Sequence, residues 1–290
     1  MLGYIVHRIL IMVPTLILIS IAIFTIINLP PGDYFSTYIA ELQSSGEHAN
    51  LAKIAFLKQA YGFDLPLWKQ YLYWVGNLLR GDLGYSFLYD MPVNKVVGDR
   101  LMLTFLVSVA TIIFTYVVAF PIGVYSATHQ YSLGDYSLTF LGFLGLATPS
   151  FLLALVLVYF AHVWFGISVG GLMDPHYQNQ PWSWAKVGSV LSHIWIPVIV
   201  IGTAGTASMI RRLRANLLDE LQKQYVVTAR AKGLHPLKVL LKYPLRMALN
   251  PFISDIGSLL PHIISGAAVV SVVLSLPTTG PMLLEALRSQ

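Results

Sequence analysis

The sequence predicts an all-α integral membrane protein, and three observations carry that prediction. Of 290 residues, 56% are hydrophobic and only 11% are charged, whereas a soluble domain carries about 25% charged residues. Mean hydropathy is +0.68. The charges also cluster: uncharged stretches of 24, 34, 38, 24 and 29 residues follow Arg8, Arg100, Asp135, Lys186 and Asp255. Each stretch holds the roughly 20 apolar residues that a helix needs to cross a bilayer core of about 30 Å. A globular chain would need five long buried helices with too little polar surface to cover them. The chain has no cysteine, which excludes disulfide frameworks, thiolate nucleophiles and Cys-based metal sites.

The elements follow in order. Span one covers Ile9–Asn28 and is stopped by Pro30, Pro31 and Gly32. Its apolar run exceeds that of a signal peptide and lacks a small-residue cleavage site, so it reads as a retained anchor. Residues 29–100 form an external segment of 72 residues with two amphipathic helices, Asn50–Tyr61 and Pro66–Leu79. The Trp and Tyr residues of Trp68–Trp74 suit a membrane interface. Span two covers Leu101–Thr128, and span three covers Tyr136–Phe165 with a kink at Pro149. A second external loop, 166–193, precedes span four, Ile194–Ile210. A basic loop, 211–246, leads to span five, Pro251–Leu276, and a short tail reaches Gln290. The chain reads as one transmembrane domain over residues 1–290, without internal repeats.

Orientation follows the bias of Lys and Arg in short loops. Arg8, the 129–135 link and the 211–246 loop share one side and hold ten basic residues; the opposite short loop holds only Lys186. The N-terminus and the basic loop are therefore cytoplasmic, and five spans place Gln290 outside.

The basic loop carries nine cations against Asp219 and Glu220. By charge alone, it fits contact with anionic lipid as well as protein docking. Asp219–Lys232 reads as one helix, ended by Gly233 in the left-handed conformation. Pro236 opens a second helix, Pro236–Leu249. The two form a lever joined to spans four and five.

The run Tyr225-Val226-Val227-Thr228-Ala229-Arg230-Ala231-Lys232-Gly233-Leu234 resembles the EAA loop of ABC importer permeases, in the form found in the oligopeptide/dipeptide/nickel permease family. Three shorter runs resemble the same family. These are Pro31-Gly32-Asp33 after the first span, Leu79-Arg80-Gly81-Asp82-Leu83-Gly84-Tyr85-Ser86, and Ala147-Thr148-Pro149-Ser150-Phe151. The resemblance covers the whole chain. It implies a type I ABC importer transmembrane domain with a sixth span beyond the fifth, so the natural protein is expected to continue past Gln290. It implies a homologous permease partner, two ATPase subunits docked on Tyr225, Thr228, Ala229, Arg230, Ala231, Lys232, Gly233 and Leu234, and an external substrate-binding protein. ATP and Mg would bind the ATPase subunits, with no cofactor on this chain. Peptides are the family's usual cargo, with oligosaccharides or nickel in some members. Val227 stands where the general motif has Glu, Ser271 where Glu is common, and Leu276-Pro277-Thr278-Thr279-Gly280 replaces the usual Leu-Pro-Gly-x-Gly. These departures leave the external gate and the cargo open.

Little on the chain points to covalent chemistry. The Gly-x-x-x-x-Gly-Lys-Ser/Thr phosphate loop and the Gly-x-Ser-x-Gly elbow are both missing from the sequence. His129, His162, His176 and His193 show no metal-ligand spacing. Inside span two, Thr104, Ser108, Thr111 and Thr115 share one helix face; in span five, Ser254, Ser258, His262 and Ser265 repeat the pattern beside Asp255. Both faces fit either a water-lined pathway or interhelical packing. Asp255 sits near the cytoplasmic end, where it could pair with Arg246 or face the channel mouth. The Arg80-Gly81-Asp82 turn either braces the external segment or receives the binding protein. Two rival functions stand beside this reading: an ion-driven secondary transporter using Asp255 and His262 as a proton relay, and a membrane enzyme, for which a nucleophile–base pair is missing.

Overall fold

A computed structural model describes residues 2–29, 62, 65–86, 88, 89, 91–166, 171–177 and 180–288. The expected helix Asn50–Tyr61 and the Pro31-Gly32-Asp33 run lie outside them. The chain divides into two compact units, residues 1–97 with 285–290, and residues 98–284.

In the first unit, helix α1, Leu2–Ile27, is long enough to span a bilayer. Its polar residues return their hydrogen bonds to the helix: Thr15 Oγ1 donates to Ile11 O at 2.8 Å and Thr25 Oγ1 to Ile21 O at 2.8 Å. A hydroxyl satisfied this way costs little in lipid. Helix α2, Leu67–Leu79, starts after Pro66, as expected from the sequence. It packs on α1 through Tyr71, whose hydroxyl lies 2.7 Å from Ser20 Oγ and whose ring meets Phe24 edge-on. Strands β1, Tyr85–Ser86, and β2, Met91–Pro92, pair antiparallel. The turn before them uses Gly81 and Gly84 at positive φ. Asn94 clamps it, accepting from Leu83 N and donating to Gly81 O. The Arg80-Gly81-Asp82 turn is thus tied by local hydrogen bonds.

In the second unit, helix α3, Val93–Thr128, enters from the first and carries Pro121. Helices α4, Leu133–Ala147, and α5, Ser150–Phe165, replace the single kinked span expected at Pro149: they are bent by 104°. Pro149 disfavours helical geometry at Thr148, which is extended at φ −79°, ψ 121°. Ser132 caps α4 by accepting from Asp135 N, and left-handed Gly166 ends α5. Helix α6, Trp184–Leu221, runs 38 residues, about 57 Å at 1.5 Å per residue. It outruns the bilayer, so the first third of the expected cytoplasmic loop is the end of this span.

Helix α6 is the spine of this unit. Near its start, Val190 and Ile196 are buried with Leu103 and Val107 of α3, Ala154 of α5 and the loop residues Leu172 and Met173. Toward its end, Met209, Leu213 and Leu217, four residues apart, are buried with Ala119 of α3. They meet Leu245, Ala248 and Phe252 of helix α9, Pro244–Ser254. Between the two clusters, small residues bring α3 close: a Cβ on Gly202 would lie 2.7 Å from the Phe114 ring.

The helices of the 211–246 loop differ from expectation at two breaks. Asp219–Lys232 is divided between α6 and helix α7, Gln224–Ala231, with Gln222 and Lys223 between them. Pro236–Leu249 is divided between helix α8, Pro236–Lys242, and α9. Pro244 has no N–H to continue α8, and Tyr243 is driven to φ −115°, ψ −81°. Helix α10, Ile256–Val273, follows a break at Asp255 and ends before the 274–278 turn. The tail expected after span five is instead helix α11, Thr279–Arg288. By length and composition, α1, α3, α6 and the Pro236–Val273 run can each cross a membrane, and the bent α4–α5 pair makes up to five.

Candidate functional site

The site builds outward from Gly233. Its φ of +71° lies where side chains are rarely tolerated. Gly233 N donates to Arg230 O, and Leu234 N to Ala229 O. This pair of bonds is the Schellman closure of a helix end. It turns the chain so that Pro236 can open α8. Val226 and Ala229, three apart on α7, are buried against Val239 of α8, with Leu234 and Tyr243 around them. A small apolar seam therefore holds α7 and α8 as one hairpin.

The other face of the hairpin is open. Thr228, Arg230, Ala231 and Lys232 are exposed, and Val227, Leu237 and Leu241 each stand more than half exposed. Thr228 Oγ1 donates to Gln224 O at 2.9 Å. Tyr225 donates its hydroxyl to the Glu220 carboxylate, bridging the α6–α7 break. Partial burial and that carboxylate push the Tyr225 hydroxyl up to about 12. The face thus combines apolar side chains with cations, which suits a partner that is concave and acidic at its rim.

Glycine at 233 is required by conformation rather than by space, since a Cβ there would meet nothing within 4 Å. Gly233→Leu is expected to weaken the turn by about 1–2 kcal/mol, and Gly233→Asn by less, because Asn enters the left-handed region more readily. Amide exchange at Val226 and Ala229 should accelerate in the Leu variant and stay slower in the Asn variant. Equal rates in the two would dismiss backbone strain as the reason for glycine.

The polar residues of the spans separate into two environments. On α3, Ser108, Thr111 and Thr115 are buried. Thr111 and Thr115 lie at the close approach of α3 to Gly202 and Gly205. Thr104 accepts from Thr279 N at 3.0 Å and joins α3 to the start of α11. Ser254, Ser258 and Ser265, in contrast, are exposed along α9 and α10. Ser254 and Ser258 bond back to Asn250 O and Asp255 O. The side chain of His262 lies outside the described set. Asp255 pairs with Arg212 at 3.0 Å, so the expected alternative partner, Arg246, is not the one used.

One pair had no forewarning. Asp135, 2% exposed at the start of α4, accepts from Arg214 Nε at 3.1 Å and Nη2 at 2.8 Å, and from Tyr131 N at 3.0 Å. Ser132 and Asp135 have capping-box spacing, which signals the start of α4, but nothing in the sequence links Asp135 to a residue 79 positions away. At the start of α6, Ser189 Oγ donates to Asp174 at 2.8 Å, while His193 Nδ1 faces the Ser189 carbonyl at 2.7 Å. In this arrangement the hydroxyl faces the carboxylate rather than the imidazole, so it is not a nucleophile–base pair.

Comparison with known proteins bears on this geometry. Residues 119–290 match the family described as binding-protein-dependent transport system inner membrane component. Residues 1–110 match its N-terminal companion, described as binding-protein-dependent transport system membrane component, N-terminal. The oligopeptide transport system permease protein AppB of Bacillus subtilis is 33% identical over 98% of this chain and 87% of its own length. The glutathione transport system permease protein GsiC of Pectobacterium atrosepticum is 32% identical over 99% and 87%. The dipeptide transport system permease protein DppB of Escherichia coli K12 is 30% identical over 99% and 88%.

Proposed function

Since the chain belongs to the family of binding-protein-dependent transport system inner membrane components, and is an inner-membrane permease subunit of an ABC importer, we propose that it forms half of a peptide pathway and couples it to ATPase subunits through α7 and α8. A homologous permease supplies the other half, an external binding protein delivers the cargo, and ATP is hydrolysed on the partner chains. The peptide cargo follows from the relatives named for oligopeptides, dipeptides and glutathione.

The observation that carries the reading is the connectivity of the hairpin. It is a compact unit with an open outer face, entered from the buried end of α6 and left through α9, which packs back on α6. A push on α7 therefore reaches the spine helix from both sides. The exposed serines of α9 and α10 offer a polar face to the pathway between the two permeases, while the α3 hydroxyls serve packing.

Two substitutions test the reading. Ala229→Glu places a carboxylate in the buried α7–α8 seam, where an uncompensated charge costs about 3–5 kcal/mol; it should abolish uptake and ATPase co-purification together. Ala231→Glu lies on the exposed face, so the hairpin remains folded while the docking surface changes. Co-purification of the ATPase subunits should fall severalfold. Full co-purification and uptake in both variants would remove the hairpin from the coupling route.

A further inference from the structure

We propose that the cytoplasmic ends of α4 and α6 form a seat for one anionic phospholipid of the inner leaflet, with Arg211 as the phosphate-binding charge. A cavity of about 320 Å³ lies between the two helices. Its walls are two stripes at helical spacing: Asp135, Thr139, Gly142 and Phe143 on α4, and Ala207, Ile210, Arg211 and Arg214 on α6. Seven residues of helix make the groove about 10 Å long.

The groove is graded along its length. At the cytoplasmic end stand the Arg214 guanidinium and the phenol rings of Tyr131 and Tyr136. Asp135 neutralises Arg214 through its two-point bond. Arg211 keeps its charge, exposed and held 5.6 Å over the Phe143 ring. Among the described residues, no carboxylate forms an ion pair with it. Beyond Arg211, which lies over Phe143, the lining toward the membrane interior is apolar: Gly142, Phe143, Ala207 and Ile210. Gly142 and Ala207 face each other across this floor, where a Cβ on Gly142 would lie in ordinary contact, 3.7 Å from that of Ala207.

A ligand that fits has an anionic head on one side and an apolar tail running parallel to the helices. The charge bias places the head at the cytoplasmic surface, where anionic lipids concentrate and basic pockets between spans bind their headgroups. A soluble phosphate would leave the apolar half empty, and a zwitterionic lipid would leave Arg211 with a weaker partner. The seat would brace the bent α4–α5 pair against the spine helix at the level of the Asp135–Arg214 bond.

The test uses the assembled transporter in nanodiscs made from an equal mixture of phosphatidylglycerol and phosphatidylcholine. Native mass spectrometry then counts the lipids retained after detergent extraction. The wild type should retain phosphatidylglycerol in preference. Arg211→Gln should reduce that preference about fivefold, the effect of one cation near a membrane surface, and Arg211→Lys should keep it. Arg246→Gln removes the same charge from the exposed start of α9 and should leave the preference unchanged. Gly142→Leu fills the apolar half without touching a charge and should expel the lipid even if Arg211→Gln fails to assemble. The proposal is overturned if Arg211→Gln and Arg246→Gln behave alike, if Gly142→Leu retains the lipid, or if inorganic phosphate displaces it.

Discussion

Arg214→Gln is expected to destabilise the second unit by about 3 kcal/mol, the lower end of the range for breaking a buried ion pair. The side chain of Asp135 is 4% exposed and that of Arg214 is 27% exposed, so water reaches the cation but barely the carboxylate. Without the guanidinium, Asp135 keeps the Tyr131 N–H and a 3.5 Å contact to Thr139 Oγ1. That is too little to compensate a charge shielded from solvent. The double variant Asp135→Asn with Arg214→Gln should recover much of the loss, because an amide has no charge to strand. Thermal unfolding in detergent, arranged as a double-mutant cycle, gives the coupling energy directly. A single-variant loss below about 1 kcal/mol, the magnitude of an exposed pair, would show that the bond adds no more than a surface contact.

This pair also marks where sequence reasoning reaches its limit. Asp135 was visible only as the end of an uncharged stretch, and Arg214 only as one of nine loop cations. The stretches themselves were enough to place α1, α3 and α6, because an uncharged run of bilayer length admits few other structures. Helix ends were less legible. Arg211–Leu221 reads as loop by charge, yet Leu213 and Leu217 recur at four residues and bury against α9, which keeps α6 helical. Pro149 was recognisable as a distortion, but a bend of 104° depends on what the two half-helices pack against. Pro244 carried a stop signal of the same kind, obscured by the good helix formers around it.

The hairpin was the most legible part of the candidate site. The left-handed Gly233 and the restart at Pro236 follow from backbone chemistry alone, and both stand where expected. The polar faces of the spans were ambiguous because serine and threonine satisfy themselves on helix carbonyls in either role. Burial separates them: the α3 hydroxyls are enclosed, and the α9–α10 serines are open. No spacing rule could have reported that difference.

Asp255→Asn is expected to slow uptake by about fivefold, corresponding to roughly 1 kcal/mol from a partly exposed pair, with assembly and ATPase binding kept. Asp255 lies at the break between α9 and α10, the side chain of Arg212 is 48% exposed and that of Asp255 is 20% exposed, so their bond links the spine helix to α10 at half-shielded depth. Tyr116 of α3 donates to Phe252 O at 2.6 Å beside it, bringing three spans together at one level. On the coupling route proposed above, movement entering through α8 and α9 passes this point before it reaches the exposed serines of α10. The exchange Arg212→Asp with Asp255→Arg restores attraction with reversed polarity and should recover most of the uptake, whereas either half alone should be worse than Asp255→Asn. The same experiment separates coupling from proton relay. A relay needs a carboxyl that gains and loses a proton, so a reversed ion pair could not replace it, and uptake would collapse with the proton gradient rather than with ATP. Uptake that is rescued by the exchange and remains dependent on ATP is the outcome expected of a mechanical link; rescue failing in a fully assembled complex would return Asp255 to the pathway itself.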